Sequence, residues 1–272
     1  MEPVIEHFGG EGEPMLFAHA NGYPPGSYRH LFRDLSHRFE ISAIEHRPLW
    51  GGREPPPNLK WGLFVDDWLR AMDKFVKEPV TIMGHSMGGT ISALAVAREP
   101  DRFKRLILLD PVFLPSRYRW AQRFTSAKSR GRSPMVRKAL GRPESFPSLD
   151  DAFSFYRGKR AFAAMSDEAL MNYVRASKES NGDGVQLRFS PAWEAAVYAA
   201  NIIAVKPVLR KLKLPTIGLR GKESTTLLPD VFARWHHWQP TAELHEVAGG
   251  HLFPMEHPHE TARVITDYFF PS

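Results

Sequence analysis

One serine lies in a pattern that can turn its side chain into a nucleophile. Residues 81–89 read TIMGHSMGG and contain Gly-x-Ser-x-Gly, with Ser86 at its centre. The β-branched apolar run at 80–83 predicts a buried strand, and the Ala-rich run at 90–97 predicts a helix. A sharp strand-to-helix turn of this kind lifts the serine hydroxyl out of the end of a sheet. Ser86 is therefore the candidate nucleophile.

The glycines around Ser86 have a steric reason. The turn pushes its central residue toward positive φ, and neighbouring side chains would then collide. Gly84 and Gly88 remove those collisions, and Gly89 allows the helix to approach the sheet closely. The start of the helix leaves free N–H groups near the serine, where negative charge can be stabilised.

The elements that must position this serine alternate along the chain. Hydrophobic periodicity predicts strands at 4–8, 14–18, 40–44, 80–83, 105–109, 215–220 and 242–247. It predicts helices at 27–39, 61–75, 90–97, 229–238 and 258–270. The glycine-rich run between the first two strands predicts a hairpin-like turn. The alternation predicts an α/β fold with a mainly parallel central sheet covered by helices on both faces.

The carboxyl ends of parallel strands are the usual place for an active site. Three groups of residues follow predicted strands directly, namely 19–23, Ser86 and Asp110. We expect them to lie along one edge of the sheet.

The middle of the chain has a different pattern. It is rich in arginine and aromatic residues, and it predicts short helices at 150–156, 167–177 and 191–203, a loop at 129–147 and no strand. We interpret 112–205 as a helical cap inserted over the site. Residues 1–111 and 206–272 then form the core domain.

Composition places few further limits on the protein. The chain has 272 residues, 43% hydrophobic and 24% charged, which is ordinary for a soluble globular enzyme. It has no cysteine, so disulfides and cysteine-ligated metals are excluded. No apolar run reaches the length of a membrane helix, and the first residues lack a signal-peptide pattern. We expect no membrane span and a cytoplasmic protein.

The net charge of +6 has a local origin. No acidic residue interrupts the segment 117–142, and its cations are Arg117, Arg119, Arg123, Lys128, Arg130, Arg132, Arg137, Lys138 and Arg142. A basic segment can bind nucleic acid, but no aromatic RNA-binding motif or recognition-helix pattern accompanies it. We expect a solvated basic face and no nucleic-acid partner.

The pattern around Ser86, the alternating elements, the insertion and a late histidine together resemble the α/β-hydrolase fold family. The likeness covers about 1–111 and 214–272, and the insertion matches the family's variable cap. Family members run nucleophile, acid, histidine along the chain. Ser86 matches the nucleophile, and His251, within Gly-His-Leu-Phe-Pro-Met-Glu, matches the histidine among 12 in the chain.

The resemblance also implies an oxyanion hole. The segment His19-Ala20-Asn21-Gly22 looks like the family's His-Gly loop, which supplies one backbone donor. The residue after the nucleophile supplies the other, so the implied donors are the N–H groups of Asn21 and Met87. Ala20 or Gly22 is the alternative to Asn21. His19 is expected to brace the loop.

Two residues are candidates for the acid. The commonest family position follows the strand at 215–220, but the sequence there is Gly-Lys-Glu-Ser and has no aspartate at the matching spacing. Some relatives place the acid after the strand that follows the nucleophile helix, where this chain has Asp110. We prefer Asp110 and keep Glu223 as the alternative. Asp110 can also be read as capping the turn at Pro111.

The expected activity is hydrolysis of carboxylic esters of small or medium acyl substrates through an acyl-enzyme intermediate, using a serine–histidine–aspartate triad. This chemistry requires no cofactor and no metal, and we expect neither. Two alternatives stay open: a carbon–carbon bond hydrolase or thioesterase of the same fold, and a non-catalytic receptor for a small ligand. A homo-oligomer is compatible with the sequence, which leaves the oligomeric state undefined.

Overall fold

The computed structural model describes residues 2–115, 127–200 and 204–271. The strands of the central sheet are β1 (Ile5–Gly9), β2 (Glu13–Ala18), β3 (Phe39–Ile44), β4 (Val80–His85), β5 (Phe103–Leu109), β9 (Thr216–Gly221) and β10 (Ala242–Val247). In the described part of the chain between β5 and β9 lie three short strands, namely β6 (Ser145–Phe146), β7 (Lys178–Ser180) and β8 (Val185–Leu187).

Helices connect and cover the strands. The described α-helices before β6 are α1 (Arg29–Leu35), α2 (Gly62–Phe75), α3 (Met87–Arg98), α4 (Ala127–Arg130) and α5 (Pro134–Leu140). Those after it are α6 (Leu149–Arg157), α7 (Asp167–Ser177), α8 (Pro191–Ala199), α9 (Val205–Leu209), α10 (Pro229–Trp238), α11 (Phe253–Glu256) and α12 (Pro258–Phe269). None of the helices in the described ranges is long and apolar enough to cross a membrane.

The central sheet has the order β1-β3-β2-β4-β5-β9-β10. Only β1 runs antiparallel to its neighbour; the other pairs are parallel. The strand order places β4 in the middle, with β2 on one side and β5 on the other. The mainly parallel sheet surrounded by helices that the sequence predicts is therefore confirmed.

Alternate residues of the strands pack on opposite faces of the sheet. In β5, Leu106 and Leu108 join a cluster with side chains of α2, α3, α9 and α10, whereas Ile107 and Leu109 join a second cluster with α1, α11 and α12. All four are fully buried, and burial of a side chain of this size contributes ~1.5–3 kcal/mol. The two-sided packing explains why the central strands read as continuous apolar runs.

The predicted hairpin between β1 and β2 is wrong, because β3 lies between these two strands. The glycine-rich connection instead passes close to the backbone at the start of β3. A Cβ at Gly10 would lie 2.1 Å from the Phe39 carbonyl oxygen, and one at Gly12 would lie 2.3 Å from that of Arg38. The glycines therefore permit a close backbone crossing.

The described part of the segment between β5 and β9 is largely helical, but it also contains a small antiparallel sheet of order β6-β8-β7. The expectation of no strand at 112–205 was wrong because strands of two or three residues leave no periodicity to detect. The expected loop at 129–147 is likewise interrupted by α5 and β6.

Serine caps explain where helices of this segment begin. The side chain of the preceding serine accepts a hydrogen bond from a backbone N–H of the first turn in α5, α6, α7 and α8. This satisfies one of the N–H groups that lack a partner at a helix start. The capping residues are Ser133, Ser148, Ser166 and Ser190.

The basic segment is only partly a solvated face. Arg132, Arg137 and Lys138 are exposed, as expected. Arg142 instead points inward and forms an ion pair with Glu194 on α8. The predictions for Arg117, Arg119 and Arg123 fall outside the described residues.

Candidate active site

Ser86 lies at the sharp turn between β4 and α3. Its backbone has φ 57° and ψ −118°, in a region that residues with a side chain rarely adopt. A Cβ at Gly84 would lie 2.5 Å from the Gly88 oxygen, and a Cβ at Gly88 would lie 2.0 Å from the Ala18 oxygen. Any larger residue at either position would displace the turn, which agrees with the steric role inferred from the sequence.

Hydrogen bonds to the neighbouring segment stabilise this strained backbone. The Ser86 N–H donates to the Leu109 carbonyl at the end of β5, over 2.9 Å. Its carbonyl accepts from the N–H groups of Thr90, at 3.2 Å, and Val112, at 3.3 Å. The serine is thereby anchored between β4 and β5, with 7% of its surface exposed.

The structure brings His251 to this serine although the two are far apart in the sequence. His251 follows β10 in a turn, and its Nε2 lies 2.9 Å from Ser86 Oγ. On the opposite side of the ring, Nδ1 lies 2.6 Å from Asp110 Oδ2. The three side chains therefore form one continuous hydrogen-bonded chain.

The donors in this chain can be assigned from chemistry. A carboxylate only accepts hydrogen bonds, so the short contact with Asp110 requires the proton on Nδ1 of His251. In the neutral ring Nε2 then has a free lone pair, which accepts from the Ser86 hydroxyl. A neutral imidazole in this tautomer is the form that can remove a proton from serine.

Asp110 occupies the position at the end of β5 and is fully buried. Its φ is 41°, and its Oδ1 accepts a 3.4 Å hydrogen bond from the N–H of Gly221. Its Oδ2 also accepts from the hydroxyl of Ser224, at 2.5 Å. Glu223, the other candidate acid, is exposed in the loop after β9. The geometry therefore brings Asp110, and not Glu223, to the imidazole.

Sequence reasoning missed Ser224. It lies in the loop after β9, where the family pattern Gly-x-x-Ser-Asp carries a serine next to the missing acid. The sequence from Gly221 to Ser224 matches the first four residues of that pattern. The Ser224 hydroxyl, however, gains its hydrogen-bond partner only when Asp110 approaches from the end of the neighbouring strand.

The loop after β2 lies next to the start of α3. A Cβ at Gly88 would meet this loop as well as β2, because it would lie 2.6 Å from the His19 oxygen. Asn21 and Met87, the implied oxyanion donors, are 5% and 1% exposed and belong to these two adjoining backbone segments. Gly22 follows Asn21 with φ 77°, a left-handed conformation that favours glycine.

His19 braces this loop. Its Nδ1–H donates to the Ala20 oxygen over 2.8 Å, and its Nε2 accepts from the His46 N–H at 3.0 Å. Burial, together with the neighbouring His46, lowers the pKa of His19 well below its ordinary value. The ring is therefore neutral, and both of its nitrogens are used to hold backbone.

The segment between β5 and β9 reaches the same loop through α8. The Asn21 side-chain amide donates to the Glu194 carbonyl oxygen over 3.2 Å. A Cβ at Gly22 would lie 3.2 Å from Arg142 Nη1. The guanidinium of Arg142 also bonds the hydroxyls of Tyr173, at 2.7 Å, and Tyr156, at 3.2 Å. A buried polar cluster thus adjoins the loop that carries Asn21.

Within residues 2–115, 127–200 and 204–271, no group of three or more histidine, cysteine, aspartate or glutamate side chains could hold a metal ion.

Comparison with known proteins identifies relatives that share this architecture. The family model described as the alpha/beta hydrolase family matches residues 15–264. Monoglyceride lipase of Rattus norvegicus is 31% identical over 113 residues, which cover 39% of this chain and 37% of the lipase. The chain therefore aligns with little more than a third of that relative's length.

Two further similarities extend over nearly the whole chain. The 2-hydroxymuconate semialdehyde hydrolase of Pseudomonas putida is 23% identical over 269 residues, 96% of this chain and 89% of that protein. The crystal structure of E-2-(acetamidomethylene)succinate hydrolase superposes with a TM-score of 0.81 at 19% identity, covering 97% of this chain and 94% of the other. This second likeness shows the fold. With the family model matching most of its length, the chain belongs to the alpha/beta hydrolase family.

Proposed function

We propose that the chain is a serine hydrolase that cleaves carboxylic esters of small or medium acyl substrates through an acyl-enzyme intermediate. Ser86 is the nucleophile, His251 the general base and Asp110 the acid of the triad. The observation that carries this proposal is the continuous chain from Ser86 Oγ to His251 Nε2 at 2.9 Å and from His251 Nδ1 to Asp110 Oδ2 at 2.6 Å.

The first half of the reaction transfers the acyl group to the enzyme. As Ser86 Oγ attacks the ester carbon, its proton moves to His251 Nε2, and Asp110 stabilises the imidazolium that forms. The backbone N–H groups of Asn21 and Met87 stabilise the developing oxyanion, where one such donor is worth about 3–4 kcal/mol. His251 then gives the proton to the departing alkoxide, and the alcohol leaves.

The second half returns the enzyme to its starting state. His251 removes a proton from a water molecule, which attacks the carbonyl carbon of the acyl-enzyme. The resulting tetrahedral intermediate uses the same two backbone donors. Its collapse breaks the bond to Ser86 Oγ, which regains its proton from His251, and the carboxylic acid leaves.

Residues 112–205 act as the cap in this proposal, on a core formed by 1–111 and 206–272. Support comes from the contact of α8 with the loop after β2, where the backbone oxygen of Glu194 accepts a hydrogen bond from the side-chain amide of Asn21. The rings of Tyr23 and Tyr173 add an aromatic contact at 5.2 Å between that loop and α7.

A fluorophosphonate probe tests the assignment of the nucleophile. The probe bonds covalently to an activated serine, so the wild-type chain should be labelled at Ser86, as mass spectrometry of the labelled peptide would establish. Ser86→Ala should lose both labelling and turnover of a p-nitrophenyl ester. Ser27→Ala, which removes another buried hydroxyl, is the matched control and should retain both. Unchanged turnover in Ser86→Ala would contradict the proposal, and an unlabelled wild-type chain would favour a non-catalytic ligand receptor.

A second pair of variants tests the assignment of the acid. Asp110→Asn keeps the shape of the side chain, but its amide N–H can donate to His251 Nδ1 and so favours the tautomer that carries the proton on Nε2. That tautomer cannot accept the Ser86 proton, so kcat should fall on the order of 10⁴-fold. Glu223→Gln should leave turnover unchanged because the side chain is exposed. A loss confined to Glu223→Gln would reverse the assignment.

A second candidate function is carbon–carbon bond hydrolysis. The similarity to 2-hydroxymuconate semialdehyde hydrolase over 96% of the chain favours it. Poor turnover of simple esters with rapid cleavage of a vinylogous diketone would select this function. Rapid cleavage of an acyl-CoA would instead identify a thioesterase of the same fold.

A further inference from the structure

His85, the residue before the candidate nucleophile, is a fully buried imidazole that the proposed reaction does not use. Its Nε2 lies 2.8 Å from the backbone carbonyl oxygen of His251. Its Nδ1 lies 2.7 Å from the hydroxyl of Tyr28, which is also buried. Both ring nitrogens are therefore committed to partners.

The direction of each hydrogen bond follows from the chemistry of the partners. A carbonyl oxygen only accepts, so His85 Nε2 must carry the proton and donate to His251. In a neutral ring Nδ1 is then an acceptor, and Tyr28 must donate to it. The Tyr28 oxygen in turn accepts from the N–H of Ala20, at 3.3 Å. Each donor from Ala20 to His85 therefore faces an acceptor, and no assignment conflicts with another.

The surroundings keep this arrangement in one protonation state. Burial, and then the nearby His251, lower the pKa of His85 well below its ordinary value. Burial raises the pKa of Tyr28. A neutral ring and a protonated phenol are the forms that the donor assignment requires.

The series links two parts of the candidate site. One end is Ala20, which precedes Asn21, the residue whose backbone N–H is the proposed oxyanion donor. The other end is the main chain of His251, whose imidazole lies between Ser86 and Asp110. His251 lies in a turn without the regular hydrogen bonds of a helix or strand, so a side-chain bond to its carbonyl restrains where its ring can lie.

We propose that His85 is a positioning residue, which places the His251 imidazole by holding its backbone carbonyl, and that Tyr28 fixes the His85 tautomer for this task. The inference rests on the proposed function for its kinetic consequence. Its geometric consequence, the position of the His251 ring against Asp110, can be measured independently of turnover.

Three variants separate the donor from the packing. His85→Leu replaces the imidazole with an apolar side chain and so removes the donor. His85→Gln offers an amide N–H that can reach the His251 carbonyl. Tyr28→Phe removes only the phenolic hydroxyl. With a p-nitrophenyl ester, kcat should fall about tenfold in His85→Leu, the effect of losing one hydrogen bond that favours the reactive geometry. KM should stay within roughly twofold, because the bond does not contact substrate, and His85→Gln should recover most of kcat.

Proton NMR can distinguish positioning of His251 from a general contribution of His85 to stability. The proton between His251 Nδ1 and Asp110 should give a low-field signal, identified by its loss in Asp110→Asn. Well below the unfolding temperature, the signal should shift or broaden in His85→Leu and Tyr28→Phe and should return in His85→Gln.

Wild-type kcat and an unchanged signal in folded His85→Leu would overturn the proposal. Should His85→Leu not fold, the same two observations in Tyr28→Phe would overturn it. If the wild-type chain hydrolyses no ester and takes up no fluorophosphonate, the proposed function fails, while the NMR comparison still decides the role of His85.

Discussion

Ser224 Oγ lies 2.5 Å from Asp110 Oδ2, the same carboxylate oxygen that lies 2.6 Å from His251 Nδ1. Asp110 follows β5, whereas Ser224 comes from the loop after the neighbouring strand β9. That loop is where many family members have the acid. In this chain it supplies a hydrogen-bond donor to Asp110, the carboxylate that we propose as the acid and that follows the adjacent strand.

Removal of this donor should weaken the site without abolishing it. Ser224→Ala leaves Asp110 with the weaker 3.4 Å bond from Gly221, so the carboxylate can rotate away from His251. A hydrogen bond to a charged group contributes ~1.5–3 kcal/mol, and we expect kcat/KM for a p-nitrophenyl ester to fall at least about tenfold. Thr225→Ala, at the exposed neighbouring position, is the control. Equal activities of the two variants would mean that Ser224 does not orient the acid.

The loop that carries Asn21 should be sensitive to a single methyl group. Gly22→Ala forces a non-glycine residue into φ 77° and places a Cβ 3.2 Å from Arg142 Nη1. The left-handed backbone alone costs ~1–2 kcal/mol, and a shift of the loop would move the Asn21 N–H from the oxyanion. We expect a fall in kcat of at least about tenfold, measured by steady-state kinetics.

Gly182→Ala is the matched control for that variant. Gly182 is exposed between β7 and β8, with φ 95° and open space around its Cβ position, so the substitution introduces similar backbone strain without a side-chain contact. It should lower the unfolding temperature and leave kcat unchanged. If both variants lose the same share of activity, general destabilisation rather than the position of Asn21 explains the effect.

The sheet was predictable because its signals are local. Runs such as Leu106–Leu109 are apolar throughout, since both faces of β5 are buried. The glycines at 84 and 88 mark a turn in which a Cβ at either position would collide with backbone. The approach of His251 to Ser86 was an expectation from chain order within a family. Nothing in the residues near either one specifies the 2.9 Å distance.

What the sequence did not predict depends on partners that are remote in the chain. The role of Ser224 depends on Asp110, 114 residues away. The inward turn of Arg142 from an otherwise basic segment depends on Glu194, 52 residues later. Charge and hydropathy patterns describe neighbours in sequence, so such pairs emerge only when the elements pack.

The ion pair between Arg142 and Glu194 should stabilise the fold only while both charges are present. The two side chains are 17% and 10% exposed, and removal of one partner leaves a buried charge without compensation. Arg142→Met or Glu194→Gln alone should lower the free energy of unfolding by about 3 kcal/mol. The double variant should recover part of that loss. Urea unfolding of all four chains gives the coupling energy, and strictly additive effects would show that the pair is not coupled.

Lys178 should make the stability of the fold depend on pH at neutral and alkaline values. Burial, and then the nearby Arg142 cation, lower the pKa of Lys178 from 10.5 to about 7. Its ammonium contacts the rings of Tyr156, at 4.6 Å, and Phe146, at 5.5 Å. Between these pKa values the unfolded chain holds a proton that the folded chain does not, so folding becomes more favourable as the pH rises from about 7 toward 10.5.

The size of the effect is set by one proton. Its limiting slope is ~1.4 kcal/mol per pH unit, and below pH 7 both states are protonated, so the contribution stays constant. We expect the unfolding free energy of the wild-type chain to rise by about 2 kcal/mol relative to that of Lys178→Met from pH 7 to pH 9. Lys104→Met removes an exposed lysine and is the control for the loss of a charge. A difference that stays flat across this range would mean that Lys178 keeps its proton in the folded chain, because the ring faces of Tyr156 and Phe146 then compensate for its lost hydration.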